Sequence, residues 1–91
     1  FDYTKLSVDR QVFITVFGYI KSSRGMKVAN SVELALRCGL PVKKMQIVFA
    51  TEVLRELGLV EFNSGALVVN KGYGKQLDTS PIYSAVKALK G

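Results

Sequence analysis

The sequence predicts a small, mainly helical α+β domain with three helices, a β-hairpin and a fourth helix, in that order. Apolar residues recur at three- and four-residue spacing in four separate segments, which is the period of an amphipathic helix. Two β-rich runs flank the turn signal Asn63-Ser64-Gly65. The 91 residues, of which 48% are apolar and 22% charged, suffice for one compact domain spanning residues 1–91.

The first two helices are predicted on either side of a polar break at residues 21–25. Residues 1–8 form a docked or frayed lead-in, and Asp9 is a good N-cap for the first helix. The apolar stripe of the first helix consists of Val12, Phe13, Val16, Phe17 and Ile20. The stripe of the second consists of Val28, Val32, Ala35 and Leu36. Gly39 is predicted to end the second helix with a positive φ.

The remaining elements follow without a linker or an internal repeat. Pro41 suits the turn before a third helix, which closes at Gly58 and has the stripe Met45, Val48, Phe49, Val53, Leu54 and Leu57. After the hairpin, Ser80 as N-cap and Pro81 at the first helical position predict the last helix. Its apolar residues are Ile82, Tyr83, Val86 and Leu89.

Ala35, Gly39 and Met45 have the spacing of a helix-turn-helix. That motif needs a small residue where two helices cross, a glycine in the turn and an apolar anchor on the next helix. The third helix then runs through Leu57-Gly58-Leu59 into the hairpin. Over residues 9–70 this order resembles the winged-helix family, in which the hairpin is the wing and the third helix is the recognition helix.

This arrangement predicts which residues form the core and what role Cys38 has. Phe49 and Leu57 are predicted to lie beside Val16 and Leu36. The chain has no His and one Cys, which excludes an imidazole base, a Ser-His-Asp triad, an internal disulfide and a CxxC zinc pair. Cys38 is therefore predicted to be a core thiol in a reducing, cytoplasmic protein. No apolar run approaches the length of a membrane span.

The charge balance favours an acidic partner. Thirteen Lys and Arg against seven Asp and Glu give a net charge of +6, which suits nucleic acid. In the first turn of the third helix, Lys43 and Lys44 could neutralise phosphate and Gln46 could pair with an adenine edge. A solvated face is the alternative, because Glu52 and Glu56 later in the helix oppose a position deep in a major groove. These two carboxylates, without further ligands, make a weak cation site.

Most of the basic excess lies outside the third helix. It forms three groups: Lys21, Arg24 and Lys27 in the first loop, Lys71 and Lys75 after the hairpin, and Lys87 and Lys90 on the last helix. A base could stack on Tyr73 while the neighbouring lysines hold phosphate. A tyrosine docked on its own domain is an equally good interpretation.

A narrower resemblance rests on residues 35–40, 48–49 and 57–60 and on the Asp-Thr-Ser-Pro-Ile-Tyr step at 78–83. Together they resemble the C-terminal domain of RecJ-type single-strand-specific exonucleases. The resemblance implies that the chain, which begins with Phe1, is a C-terminal fragment of a longer protein. It further implies a parent that degrades single-stranded DNA from the 5′ end with Mn or Mg bound in a separate catalytic domain.

No catalytic residue and no cofactor are assigned to this chain, because the metal-binding motifs of that family have no counterpart in it. The expected function is contact with single-stranded or non-specific DNA. One alternative is a protein-docking module, in which a groove between the wing and the last helix holds a peptide, for example from a single-strand-binding protein. A domain of a transcription regulator is a further alternative.

Overall fold

The computed structural model describes residues 3–70 and 77–90, and within them it confirms the predicted order of elements. The helices are α1 (Arg10–Ser22), α2 (Ser31–Arg37), α3 (Lys44–Glu56) and α4 (Pro81–Lys90), and the strands are β1 (Val60–Asn63) and β2 (Ala66–Val69). Single 3₁₀ turns occur at Tyr3–Lys5 and Leu77–Thr79. The chain has a winged-helix-like arrangement, with the hairpin as its wing. Within the described ranges, none of the helices has the length and apolar character needed to span a membrane.

Side-chain caps explain where three of the helices begin. The carboxylate of Asp9 accepts a hydrogen bond from a backbone N–H in the first turn of α1 at 3.0 Å. The Ser80 hydroxyl accepts one in the first turn of α4 at 3.2 Å. Both caps confirm the predictions, and Asn30 plays the same role for α2 at 2.9 Å. α3 begins after Lys43 without a side-chain cap.

The core lies where α1, α3, α4 and the wing meet. Phe13 is fully buried at its centre, and its ring packs edge-on against Phe49 at 5.7 Å and Tyr83 at 5.5 Å between centroids. Val16 and Leu57 are buried in the same cluster, as predicted. The N-terminal lead-in is docked on this core, because Leu6 is buried too.

The predicted core face of α2 is only partly right. Ala35 is buried, and so is Val28, which precedes the helix. Val32 and Leu36 are 56% and 61% exposed, so Leu36 does not lie beside Phe49. The helix buries Ser31 and Leu34 together with Ala35. Four of its seven residues are apolar and occur on both sides, so their spacing does not determine which side faces α3. Leu89, near the end of α4, is likewise exposed rather than part of the core stripe.

The turn between α2 and α3 is also built differently from the prediction. Gly39 is not among the described glycines with positive φ, which are Gly25, Gly58 and Gly65. α2 ends instead because Cys38 is extended, with φ −72° and ψ 130°. The two helices remain separate, so the helix-turn-helix stands without a left-handed glycine.

The residues on either side of this turn differ from the prediction as well. Met45, the predicted anchor, is 46% exposed, whereas Ile47 is buried at 1%. Cys38 is half-buried and lies outside the core cluster, so it is not the core thiol that was predicted.

The wing is a tight two-residue hairpin. β1 and β2 pair in antiparallel register from Val60 with Val69 to Asn63 with Ala66. Ser64 and Gly65 both have positive φ, 55° and 74°, which is the type I′ turn that matches the twist of the strands. The turn predicted from the Asn-Ser-Gly sequence is therefore confirmed.

Candidate nucleic-acid interface

The loop between α1 and α2, residues 21–27, is called the basic loop here, and it is fastened to the wing. The Gly25 N–H donates to the Leu67 carbonyl at 2.8 Å, and the Leu67 N–H donates to the Met26 carbonyl at 2.9 Å. Lys27 forms a bridge with the first residue of β2. Because β1 occupies one edge of β2, the basic loop lies along the other edge.

Sequence reasoning missed this pairing, because it took residues 21–25 as a polar break and placed Val28 on the second helix, whereas α2 begins at Ser31. The signal was present in Met26-Lys27-Val28, where a half-buried, an exposed and a buried side chain alternate as in a strand. The run is too short to predict a strand without its partner. Because of this pairing, the loop that carries Lys21, Arg24 and Lys27 lies next to the wing.

The side chains of Lys21, Arg24 and Lys27 are exposed. The Lys21 ammonium lies 5.9 Å from the centroid of the Phe17 ring, a cation–π position that orients the exposed side chain. Within residues 3–70 and 77–90, none of the three cations forms an ion pair. The basic loop is therefore a place where positive charge remains available to a ligand.

Most of the other described carboxylates bind other cations or cap helices, as Asp9 and Glu56 do. The described ion pairs are Glu33–Arg37 at 3.5 Å, Glu52–Arg55 at 3.0 Å and Asp78–Lys87 at 4.0 Å. The two lysines predicted on α4 are used within the domain. Lys87 forms the last of these pairs, and Lys90 donates to the Thr4 carbonyl at 2.7 Å.

At the start of α3, the structure supports only part of the predicted contact group. Lys43 and Lys44 are exposed. Gln46 is only 7% exposed, so its predicted role in reading a base edge is wrong. Its amide nitrogen donates to the Ser7 carbonyl at 3.0 Å, and its amide oxygen accepts the Ser7 N–H at 2.6 Å. Gln46 fastens the lead-in to α3.

The acidic half of α3 has a structural role that the sequence did not reveal. One carboxylate oxygen of Glu56 accepts hydrogen bonds from the Ser80 hydroxyl at 2.6 Å and from the Ile82 N–H at 2.9 Å. The Glu52 carboxylate accepts from Arg55, whose guanidinium lies 5.5 Å from the Phe62 ring centroid. Among the described residues, no group of three or more His, Cys, Asp or Glu side chains is placed to hold a metal ion.

The predicted groove between the wing and α4 exists, but it is largely charged. Its volume is about 390 Å³, and its lining includes Glu52, Arg55, Glu56, Glu61 and Ile82. A separate apolar groove of about 420 Å³ lies between the lead-in, α3 and α4. Its lining includes Leu6, Met45, Val48, Ile82 and Val86.

The predicted contact group after the hairpin, Lys71, Tyr73 and Lys75, lies outside the described residues.

Comparison of the chain with protein-family models, with curated proteins and with solved structures finds no match. The site is therefore interpreted from its own geometry.

Proposed function

We propose that this domain is a non-catalytic DNA-binding module that contacts the phosphate backbone of single-stranded or otherwise non-specific DNA. The observation that carries the proposal is the basic loop, where Lys21, Arg24 and Lys27 are exposed without ion pairs in the described chain and are fastened to the wing. Neutralising phosphates with such cations releases condensed counterions, which drives binding without regard to sequence.

The surface of α3 favours backbone contact over base reading. Gln46 is buried, the exposed Met45 offers no hydrogen bond, and the carboxylates of the second half would repel phosphates. Lys43 and Lys44 remain as phosphate contacts at the start of the helix. Side chains that position DNA are thus present, whereas side chains that specify a base are scarce.

The resemblance to RecJ-type exonucleases supports a proposal for the parent protein. The parent would be a cytoplasmic, single-strand-specific 5′ exonuclease whose Mn or Mg is bound by a catalytic domain outside this chain. This domain would then hold the DNA substrate near that catalytic domain. It would contribute affinity rather than chemistry.

Protein docking is the second candidate, and the apolar groove favours it. Met45 is exposed and Val48 and Ile82 are half-buried there, so a partner side chain could bury further apolar surface. A single-strand-binding protein is the partner considered for this groove. Docking would bring the parent protein to DNA without direct phosphate contacts.

Titration of a labelled oligothymidylate at several salt concentrations distinguishes the two candidates. About four phosphate contacts on a single strand, two at the basic loop and one each at Lys43 and Lys44, predict a slope of log affinity against log salt of about −3. The Lys21→Ala, Arg24→Ala, Lys27→Ala triple variant should lose about half of that slope while it keeps its melting temperature. A matched variant, Lys5→Ala, Arg37→Ala, Lys87→Ala, removes the same net charge elsewhere and should retain more affinity.

Two results would contradict the proposed DNA contact. Equal losses in the two triple variants would show that net charge alone matters. No measurable binding at low salt would favour docking, which Met45→Asp should then disrupt in a binding assay with single-strand-binding protein.

A further inference from the structure

We propose that the surface beside Gly18 of α1 is a phosphodiester subsite, where one phosphate of a DNA strand contacts the side chains of Lys21 and Arg24 and the absent side chain of Gly18 leaves room for it. This inference rests on the proposed DNA-binding function and adds a location on α1 to it. The site is a shallow hollow of about 620 Å³, lined by Gly18, Lys21, Ser22 and Arg24. It lies at the C-terminal end of α1, where that helix leads into the basic loop.

Gly18 is not required by the described fold. Apart from proline, glycine is the poorest helix former, yet Gly18 lies inside a 13-residue helix. A Cβ added there would meet no described atom within 4 Å. Nor is its φ positive, unlike that of Gly25 or Gly65, where the backbone conformation itself favours glycine. What the missing side chain does provide is room for a ligand to approach the helix closely.

The hollow beside Gly18 is lined by two positively charged side chains, Lys21 and Arg24. Lys21 is oriented by the Phe17 ring, and within the described residues neither Lys21 nor Arg24 forms an ion pair. The Ser22 hydroxyl donates to the Tyr19 carbonyl at 2.8 Å, so the charge of an anion would be met by the two cations. The guanidinium of Arg24 has the fork geometry that suits phosphate oxygens.

The shape of the hollow fits a strand rather than a small anion. It is open to solvent instead of enclosing a ligand, and Arg24 in its lining belongs to the same loop as Lys27, which pairs with β2. A polyanion could contact Lys21 and Arg24 with one phosphate and Lys27 with a neighbouring one. A small anion would use only the first of these contacts and would remain largely hydrated.

Filling the hollow tests the subsite. Gly18→Leu introduces a good helix former, so the melting temperature should stay the same or rise. Affinity for oligothymidylate should nevertheless fall about tenfold, because the added side chain keeps the phosphate from its charged contact with Lys21 and Arg24. The salt slope should become shallower by about 0.7, the value for one phosphate on a single strand. Gly18→Gln fills the same space with a polar side chain and should behave alike.

Gln11→Leu is the matched control, because it adds the same side chain on the exposed side of α1 two helical turns earlier. It should bind like the wild type. Wild-type affinity in both Gly18 variants, together with weakened binding by Lys27→Ala, would overturn the subsite and leave the proposed function intact. An equal loss in Gln11→Leu would also overturn the subsite. Absence of wild-type binding at low salt would overturn both proposals.

Discussion

The two edges of the wing differ in what their charges do. Along the edge of β2 that pairs with the basic loop, the cations of that loop have no ion-pair partner among the described residues. Beyond β1, the carboxylates of Glu52 and Glu56 are used within the domain, one by Arg55 and one by the start of α4. A charged residue near a wing therefore indicates a ligand site only after its internal partners are known.

The largest expected effect comes from the core that both edges share. Phe49→Ala should reduce the free energy of unfolding by about 3–5 kcal/mol, because it removes a buried ring packed edge-on against Phe13. Chemical denaturation measures the loss. Ile14→Ala, at a position 40% exposed on α1, is the control and should change stability far less. A near-neutral Phe49→Ala would show that α3 packs through a different side.

On the acidic edge, Glu56→Ala should reduce stability by about 1.5–3 kcal/mol, because the Ser80 hydroxyl and the Ile82 N–H lose a charged acceptor. Affinity for DNA should not decrease. Glu61→Ala is the control, since Glu61 is an exposed carboxylate of β1 facing the same groove. If the two variants were equally stable in thermal denaturation, the role of Glu56 as a cap would be wrong.

Gln46→Ala separates fastening of the lead-in from base recognition. Loss of its two hydrogen bonds with Ser7 should cost about 1–2 kcal/mol of stability. The ranking of affinities for oligonucleotides of different sequence should stay the same. A changed sequence preference at unchanged stability would instead return Gln46 to the DNA interface.

The smallest expected effect tests the shape of the wing without altering any charge. Gly65→Ala places a Cβ at φ 74°, which should cost about 1 kcal/mol. Gly39→Ala is the contrasting variant, because Gly39 lacks a positive φ and an added Cβ there meets no described atom. It should stabilise the domain by about 0.4–1 kcal/mol. Melting curves that show the same sign for both substitutions would contradict the assigned turn conformations.

The sequence predicted those features that depend on a few neighbouring residues. Asp9 and Ser80 marked helix starts, and Asn63-Ser64-Gly65 marked the hairpin turn, because caps and tight turns are satisfied locally. On α2 the prediction is right for Ala35 and wrong for Val32 and Leu36, since apolar residues occur on both sides of a short helix and only contact with α3 selects one.

The candidate site was less predictable because its main features depend on distant partners. The sequence predicts that Gln46 is available to DNA, but its amide is hydrogen-bonded to Ser7, 39 residues away in sequence. Similarly, the sequence does not reveal that the Glu56 carboxylate accepts a hydrogen bond from Ser80. The sequence alone predicts the basic loop as a cluster of cations, because its three basic residues are close together in the chain. Its position against β2 depends on the fold.

The hydrogen bonds that hold the lead-in have a consequence for the order of folding. The Tyr83 hydroxyl donates to the Val8 carbonyl and Lys90 donates to that of Thr4, joining residues 75 and 86 positions apart. Closing such long loops costs chain entropy before any contact compensates for it, so these bonds should form late. By the same reasoning they should open first, in local fluctuations that leave α1, α3 and the wing intact. Amide hydrogens at the two ends of the domain should accordingly exchange with solvent sooner than those at its centre.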